Sequence, residues 1–216
     1  MNDWRGVLNA VCAVDGASWF GEPEPDAEDL VGFLLDRQVR SGRNAGLFEP
    51  TNADFEDRRL VTGERLKTKL ATTQIASQEA ARTLHVLGGG SPTVAAAVRL
   101  AAARLGGPCY GGPQHCTVGE CAASFIGYLR FLQAVGGCAA APEVAWRLRT
   151  LTGLRDGAGR WKRSPFYYTL LVLTEVGPAG RDELEYALPA LARSVGAAEQ
   201  PFAARRARIA LRAAGP

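Results

Sequence analysis

Gly157-Ala158-Gly159-Arg160-Trp161, followed by Ser164-Pro165 and a helical run that stops at Glu175-Val176-Gly177, is the stretch on which the fold turns. Upstream, Pro142 to Leu151 has helical spacing, so the unit is helix, glycine-aromatic loop, helix, aliphatic-glycine stop. The order recurs. Gly46-Leu47-Phe48 precedes a run ending at Val86-Leu87-Gly88-Gly89-Gly90, and Cys109-Tyr110-Gly111-Gly112 precedes one ending at Ala134-Val135-Gly136-Gly137. A weaker fourth stop lies at Ala214-Gly215. Units of roughly 40 to 50 residues are too small to bury an apolar face alone and must stack on their neighbours.

Working outward, Trp4, Val7, Leu8 and Val11 predict an N-terminal capping helix ended by Asp15-Gly16. Asp26 is an N-cap for the first helix of the first pair, which stops near Ser41-Gly42. Thr72 to Leu87 is its partner, and the 49–71 segment between is an extra helix or a long lid. Thr93 to Leu105 and Thr117 to Val135, the latter with Thr117 and Glu120 in capping-box positions, form the second pair. Pro142 to Leu151 and Pro165 to Val176 form the third; Arg181 to Ser194 and Pro201 to Ala213 form the fourth. With no strand alternation, the expectation is one all-α domain of eight to nine helices: a cap over 1–25 and helix-pair repeats over 26–90, 91–137, 138–178 and 179–216.

Composition sets the class. The chain has 216 residues, 47% hydrophobic and 22% charged, as in a soluble globular protein. The net charge of +3 arises from dispersed arginines with three lysines and no basic tract, which argues against nucleic acid. No stretch approaches the ~18 apolar residues of a membrane span and the start lacks a signal-peptide pattern, so a cytoplasmic location is expected. Five cysteines, an odd count, fit reduced thiols there.

The helix, glycine-aromatic loop, polar entrance and Leu/Val-Gly ending resemble the repeats of the α/α toroid superfamily, which includes protein prenyltransferase β subunits and squalene and terpene cyclases. Residues 111–125 and 159–169 carry the resemblance most clearly, within a span of 26 to 178. It implies inner helices around a central cavity, as a partial barrel or an open arc, and a hydrophobic substrate of isoprenoid or terpenoid type. Where a prenyltransferase β subunit has Asp-x-Cys and Phe-Tyr-His-Thr zinc ligands, this chain reads Gly119-Glu120-Cys121 and Phe166-Tyr167-Tyr168-Thr169, keeping the cysteine. The nearest string to the Asp-x-Asp-Asp acid of class II terpene cyclases is Asp54-Phe55-Glu56-Asp57.

Four groups of residues are candidates. Glu56, Asp57 and Glu120 are carboxyls that a crowded or apolar site would hold protonated as an acid; otherwise Asp54 to Asp57 form a solvated turn. Cys121 at a helix entrance is a candidate nucleophile, and with Cys109, His115 and Cys116 a candidate zinc site, although C-x5-H-C-x4-C matches no common module. Small buried or idle thiols are the alternative, and neither metal nor cofactor is expected. Tyr128, Trp161, Tyr167 and Tyr168 could wall an apolar cavity, or pack the core. Glu79 and Arg82, on a helix with few large apolar residues, are candidate substrate contacts, or an i,i+3 pair.

Two functions follow: a small toroid-like protein binding, and in its catalytic form transforming, a hydrophobic substrate, or a non-catalytic repeat module whose concave face binds a protein or peptide. An open arc exposes an apolar edge, which permits homo-oligomers.

Overall fold

The computed structural model describes residues 4–88, 90–107, 121–194 and 201–215. Among them are nine α-helices of eleven residues or more and one of six: α1 (Val7–Phe20), α2 (Ala27–Arg37), α3 (Asn52–Asp57), α4 (Lys69–Leu87), α5 (Pro92–Leu105), α6 (Cys121–Val135), α7 (Ala141–Thr152), α8 (Phe166–Val176), α9 (Arg181–Ser194) and α10 (Phe202–Ala214), with short 3₁₀ helices at Gly137–Ala140 and Gly177–Gly180. The all-α expectation holds.

Helix α1 runs past the expected stop. Asp15 and Gly16 are both buried, Asp15 because two arginines receive it, and Gly16 because Glu22 lies where a Cβ would stand, 2.5 Å from its Oε2. The helix ends instead at Gly21, in the left-handed region at φ 69°. Asp26 caps α2 as expected, accepting from Asp29 N. The expected cap at Thr117 and Glu120 lies outside the described residues.

Helices α4, α6, α8 and α10 pack in sequence, and α1 packs on α4. From α10, Arg205 pairs with Glu22 at 2.6 Å and Arg212 lies 4.4 Å over the Trp19 ring, so the series returns to the far end of α1. The other long helices pack on these: α2 and α5 on α4, α7 on α6, α9 on α8. Ala71, Ala123 and Phe166 near the starts of α4, α6 and α8 border one cavity, and Glu79, Arg130 and Glu175, further along the same helices, meet at one charge cluster. These three therefore run parallel. Helix α8 is buried almost throughout, as expected of a helix apolar on every side. Helix α4 is equally buried with mostly small side chains, which let its neighbours approach: a Cβ on Gly127 of α6 would stand 2.3 Å from Gln78 Oε1.

The first and third loops share a construction. Gln38 forms an isolated antiparallel bridge with Phe48, and Arg155 with Trp161, each joining the end of a first helix to a buried aromatic. The glycine two residues before each aromatic, Gly46 at φ 91° and Gly159 at φ 87°, faces the next outer helix: a Cβ would lie 2.5 Å from Leu100 O on α5 or 2.8 Å from Ala190 Cβ on α9.

The 49–71 segment is a strap. Around α3 and a bridge between Arg59 and Arg65, it carries two carboxylates that cap distant helices. Asp54 accepts from Val7 N (2.9 Å) and Leu8 N (2.8 Å) at the start of α1; Glu64 accepts from Tyr168 N (2.8 Å) and Tyr167 N (3.2 Å) at the start of α8. Each satisfies first-turn N–H groups that no intrahelical carbonyl reaches.

Candidate functional site

Where α1, α4, α6 and α8 face one another the interior is ionic. Arg130 of α6 reaches Asp15 of α1 at 2.7 Å, Glu79 of α4 at 3.0 Å and Glu175 of α8 at 2.7 Å. Arg82 reaches Asp15 at 2.6 Å and Glu79 at 2.8 Å. The Tyr168 hydroxyl donates to Glu79, and Trp19 Nε1 donates to Glu175 at 2.8 Å. Burial alone would raise the Asp15 carboxyl, but the two guanidiniums hold it below the usual carboxylate range. Burial and the Glu79 carboxylate push the Tyr168 phenol well up, so it stays a donor. The Glu79–Arg82 pair expected from i,i+3 spacing is present. Glu79, Arg82 and Tyr168, offered by the sequence to a substrate, are here directed at one another.

A cavity of about 740 Å³ opens at the end where α4 and α8 begin. Its walls bring together Arg65 and Lys67 from the strap, and Arg160, Lys162 and Arg163 from the third loop. Two carboxylates share the site and both are occupied. Glu64 caps α8 and accepts from Thr62 Oγ1 at 3.0 Å. Asp156 accepts from Ala158 N at 2.8 Å and Arg160 N at 3.0 Å, which with the Tyr186 hydroxyl lowers its pKa. Among the described residues, Arg65, Lys67, Lys162 and Arg163 have no carboxylate within ion-pair distance. Arg65 instead donates to the carbonyl of Asp57 at 3.0 Å.

The remaining wall is apolar: Trp161, Phe166, Pro165, Leu66, Ala71 and Ala123. Trp161 is fixed by its Nε1, which donates to the buried Glu183 at 2.7 Å; Glu183 is held in turn by Thr152 at 2.6 Å and Arg155 at 2.9 Å. Arg160 lies 4.3 Å over the Phe166 ring. Arg163 is held at φ 65°, a left-handed conformation costing a non-glycine residue on the order of 1 kcal/mol. The next side-chain oxygen, Ser164 Oγ, is buried with no hydrogen-bond partner among the described residues.

The other sequence candidates are dispersed. Glu56 and Asp57 border a second cavity of about 550 Å³ with Cys12, Arg5 and Arg205; there Asp57 pairs with Arg59 at 3.0 Å. Burial and the nearby Asp15 push the Cys12 thiol far up, which disfavours its thiolate. Cys121 is half-buried in the first turn of α6, two residues before Ala123 in the larger cavity. Tyr128 packs under Arg147, whose guanidinium lies 4.4 Å over its ring, and Tyr167 under Arg206 at 4.8 Å. Of the four aromatic candidates, Trp161 alone is in the wall of either cavity. Glu120, Cys109, His115 and Cys116 lie outside the described residues. Among the described ones, no three His, Cys, Asp or Glu side chains gather as a metal site.

The sequence puts Trp161 forward and holds Lys162 and Arg163 within the 159–169 stretch, with nothing that marks them as half of a charged wall. The other half, Arg65 and Lys67, is nearly a hundred residues upstream, and no local signal joins the two. Glu64 is a lone acid in a loop whose partners are 103 and 104 residues away. No known protein family, curated protein or solved structure matches the chain.

Proposed function

We propose that this protein binds an anionic amphiphile, a phosphorylated hydrophobic molecule of isoprenoid-diphosphate type, in the cavity between the strap and the third loop. One observation carries the reading: five cationic side chains converge on a cavity whose two carboxylates are already engaged, beside an aromatic and aliphatic wall. Such a wall receives the chain, and the cations the head group; a charge-assisted contact of this kind contributes ~1.5–3 kcal/mol. The resemblance to toroid prenyltransferases and cyclases agrees with the ligand class. Converging cations and an open apolar wall support binding at this cavity over a seat among α1, α4, α6 and α8, where the side chains of the ionic cluster are engaged with one another.

Calorimetric titration with farnesyl diphosphate, farnesol and inorganic diphosphate tests it. The diphosphate ester should bind at least about tenfold more tightly than the alcohol, a difference of ~1.4 kcal/mol, and weaken as salt is raised. Lys162→Ala and Arg163→Ala should each lower the ester's affinity about tenfold. Equal affinity for ester and alcohol, or no binding of either, would refute the reading. Product analysis of the same mixtures shows whether bound ester is also turned over.

A further inference from the structure

The Glu64 carboxylate is in the wall of the cavity on which five cations converge. It faces Thr62, Arg65 and Lys67 of the strap, the Tyr167 and Tyr168 N–H groups of α8, and Arg206 of α10, whose charge reaches it. From the third loop, Asp156, Arg160, Lys162 and Arg163 line the same space. The oxygens differ. Oε2 accepts from Tyr168 N at 2.8 Å and Thr62 Oγ1 at 3.0 Å, whereas Oε1 accepts from Tyr167 N at 3.2 Å.

We propose that binding of an anion in this cavity is coupled to uptake of one proton by Glu64 at Oε1. The inference rests on the anionic-ligand reading above. A second negative charge beside a buried carboxylate is costly where the dielectric is low, and a proton taken from the buffer removes that repulsion. Protonation at Oε1 keeps both bonds to Oε2 and gives up the longest of the three. Burial already lifts this carboxyl above the ordinary range, against the lowering effect of its donors and of Arg206. Asp156, by contrast, is held low by backbone N–H groups and stays ionised, so the proton goes to Glu64. Because the bound state holds more protons than the free state, affinity falls as pH rises.

Octyl sulfate, below its micelle concentration, is a suitable probe, because its head group does not titrate near neutrality. Titrations in buffers of different ionisation enthalpy count the protons taken up by the wild-type protein, without any variant. The expected result is net uptake approaching one proton at the pH where coupling is strongest, and affinity falling about tenfold for each pH unit that separates the bound-state and free-state values of Glu64. Glu64→Gln, checked for a native circular dichroism spectrum, should bind with little proton uptake and little pH dependence, whereas Asp156→Asn should keep both. Saturable binding with no proton uptake, or equal pH dependence in Glu64→Gln, would overturn the coupling and leave the anion site standing. If octyl sulfate binds at no pH, the anion site and the coupling both fall.

Discussion

Arg130 is the side chain on which the interior depends. It is 1% exposed and bonded to three carboxylates from three helices, so its removal leaves Asp15, Glu79 and Glu175 with Arg82 as the one remaining guanidinium of the cluster. Breaking a buried pair from one side costs ~3–5 kcal/mol, whereas replacing the whole cluster with apolar groups can be neutral. Arg130→Met is therefore expected to lower the unfolding free energy by ~3–5 kcal/mol in urea titration, with most of the loss recovered when Arg82 and the three acids are also replaced by apolar residues. A loss below ~1 kcal/mol would mean the cluster contributes little. Acid acts on the same contacts: Asp15 has a lowered carboxyl in the folded state, so the unfolded chain binds its proton first and the contribution is lost as pH falls below about 4. The i,i+3 spacing of Glu79 and Arg82 is visible in sequence, but their other partners are far away: Asp15 is 67 residues from Arg82, and Tyr168 is 89 from Glu79. A mostly small, polar-faced helix signals that something polar is buried; it does not name the partner.

At the scale of elements, most helices were legible because their caps and stops are local. Asp26, Ser91 and the Pro165 entrance act within a few residues of the helices they begin. Asp15-Gly16 misled because an acid and a glycine signal a stop only when exposed; here burial against two guanidiniums keeps the helix going. The strap was undecided in sequence because Asp54 and Glu64 accept from helix N–H groups 47 residues before one and 103 after the other. The shared construction of the two bridged loops gives an element-level prediction. Gly46→Ala and Gly159→Ala each force a Cβ into a left-handed glycine site and against the next outer helix, and each should cost ~1–3 kcal/mol by thermal unfolding. Gly42→Ala, with positive φ but open space around it, should cost less. Equal losses at all three positions would show that contact with the next helix contributes nothing.

Across the whole molecule, parallel α4, α6 and α8 place their starts at one cavity while Glu79, Arg130 and Glu175 further along them close over charge. The sequence suggested a hydrophobic ligand among Tyr128, Trp161, Tyr167 and Tyr168. Aromatic residues at helical spacing carry no information about which side meets a cavity, and three of these four pack away from both described cavities. Trp161 remains in a wall because a loop bridge and Glu183 hold it there. The cations became a group only when the strap met the third loop. The ligand seat proposed here lies at that meeting point and not at the Arg130 cluster. Photolabelling with a diazirine-bearing prenyl diphosphate, followed by peptide mapping, addresses it most directly. The account predicts saturable labelling within residues 64–71 and 160–166, suppressed by excess farnesyl diphosphate and by Lys162→Glu with Arg163→Glu. Labelling centred on Glu79, Arg130 and Tyr168, or labelling that excess ligand does not suppress, would contradict it.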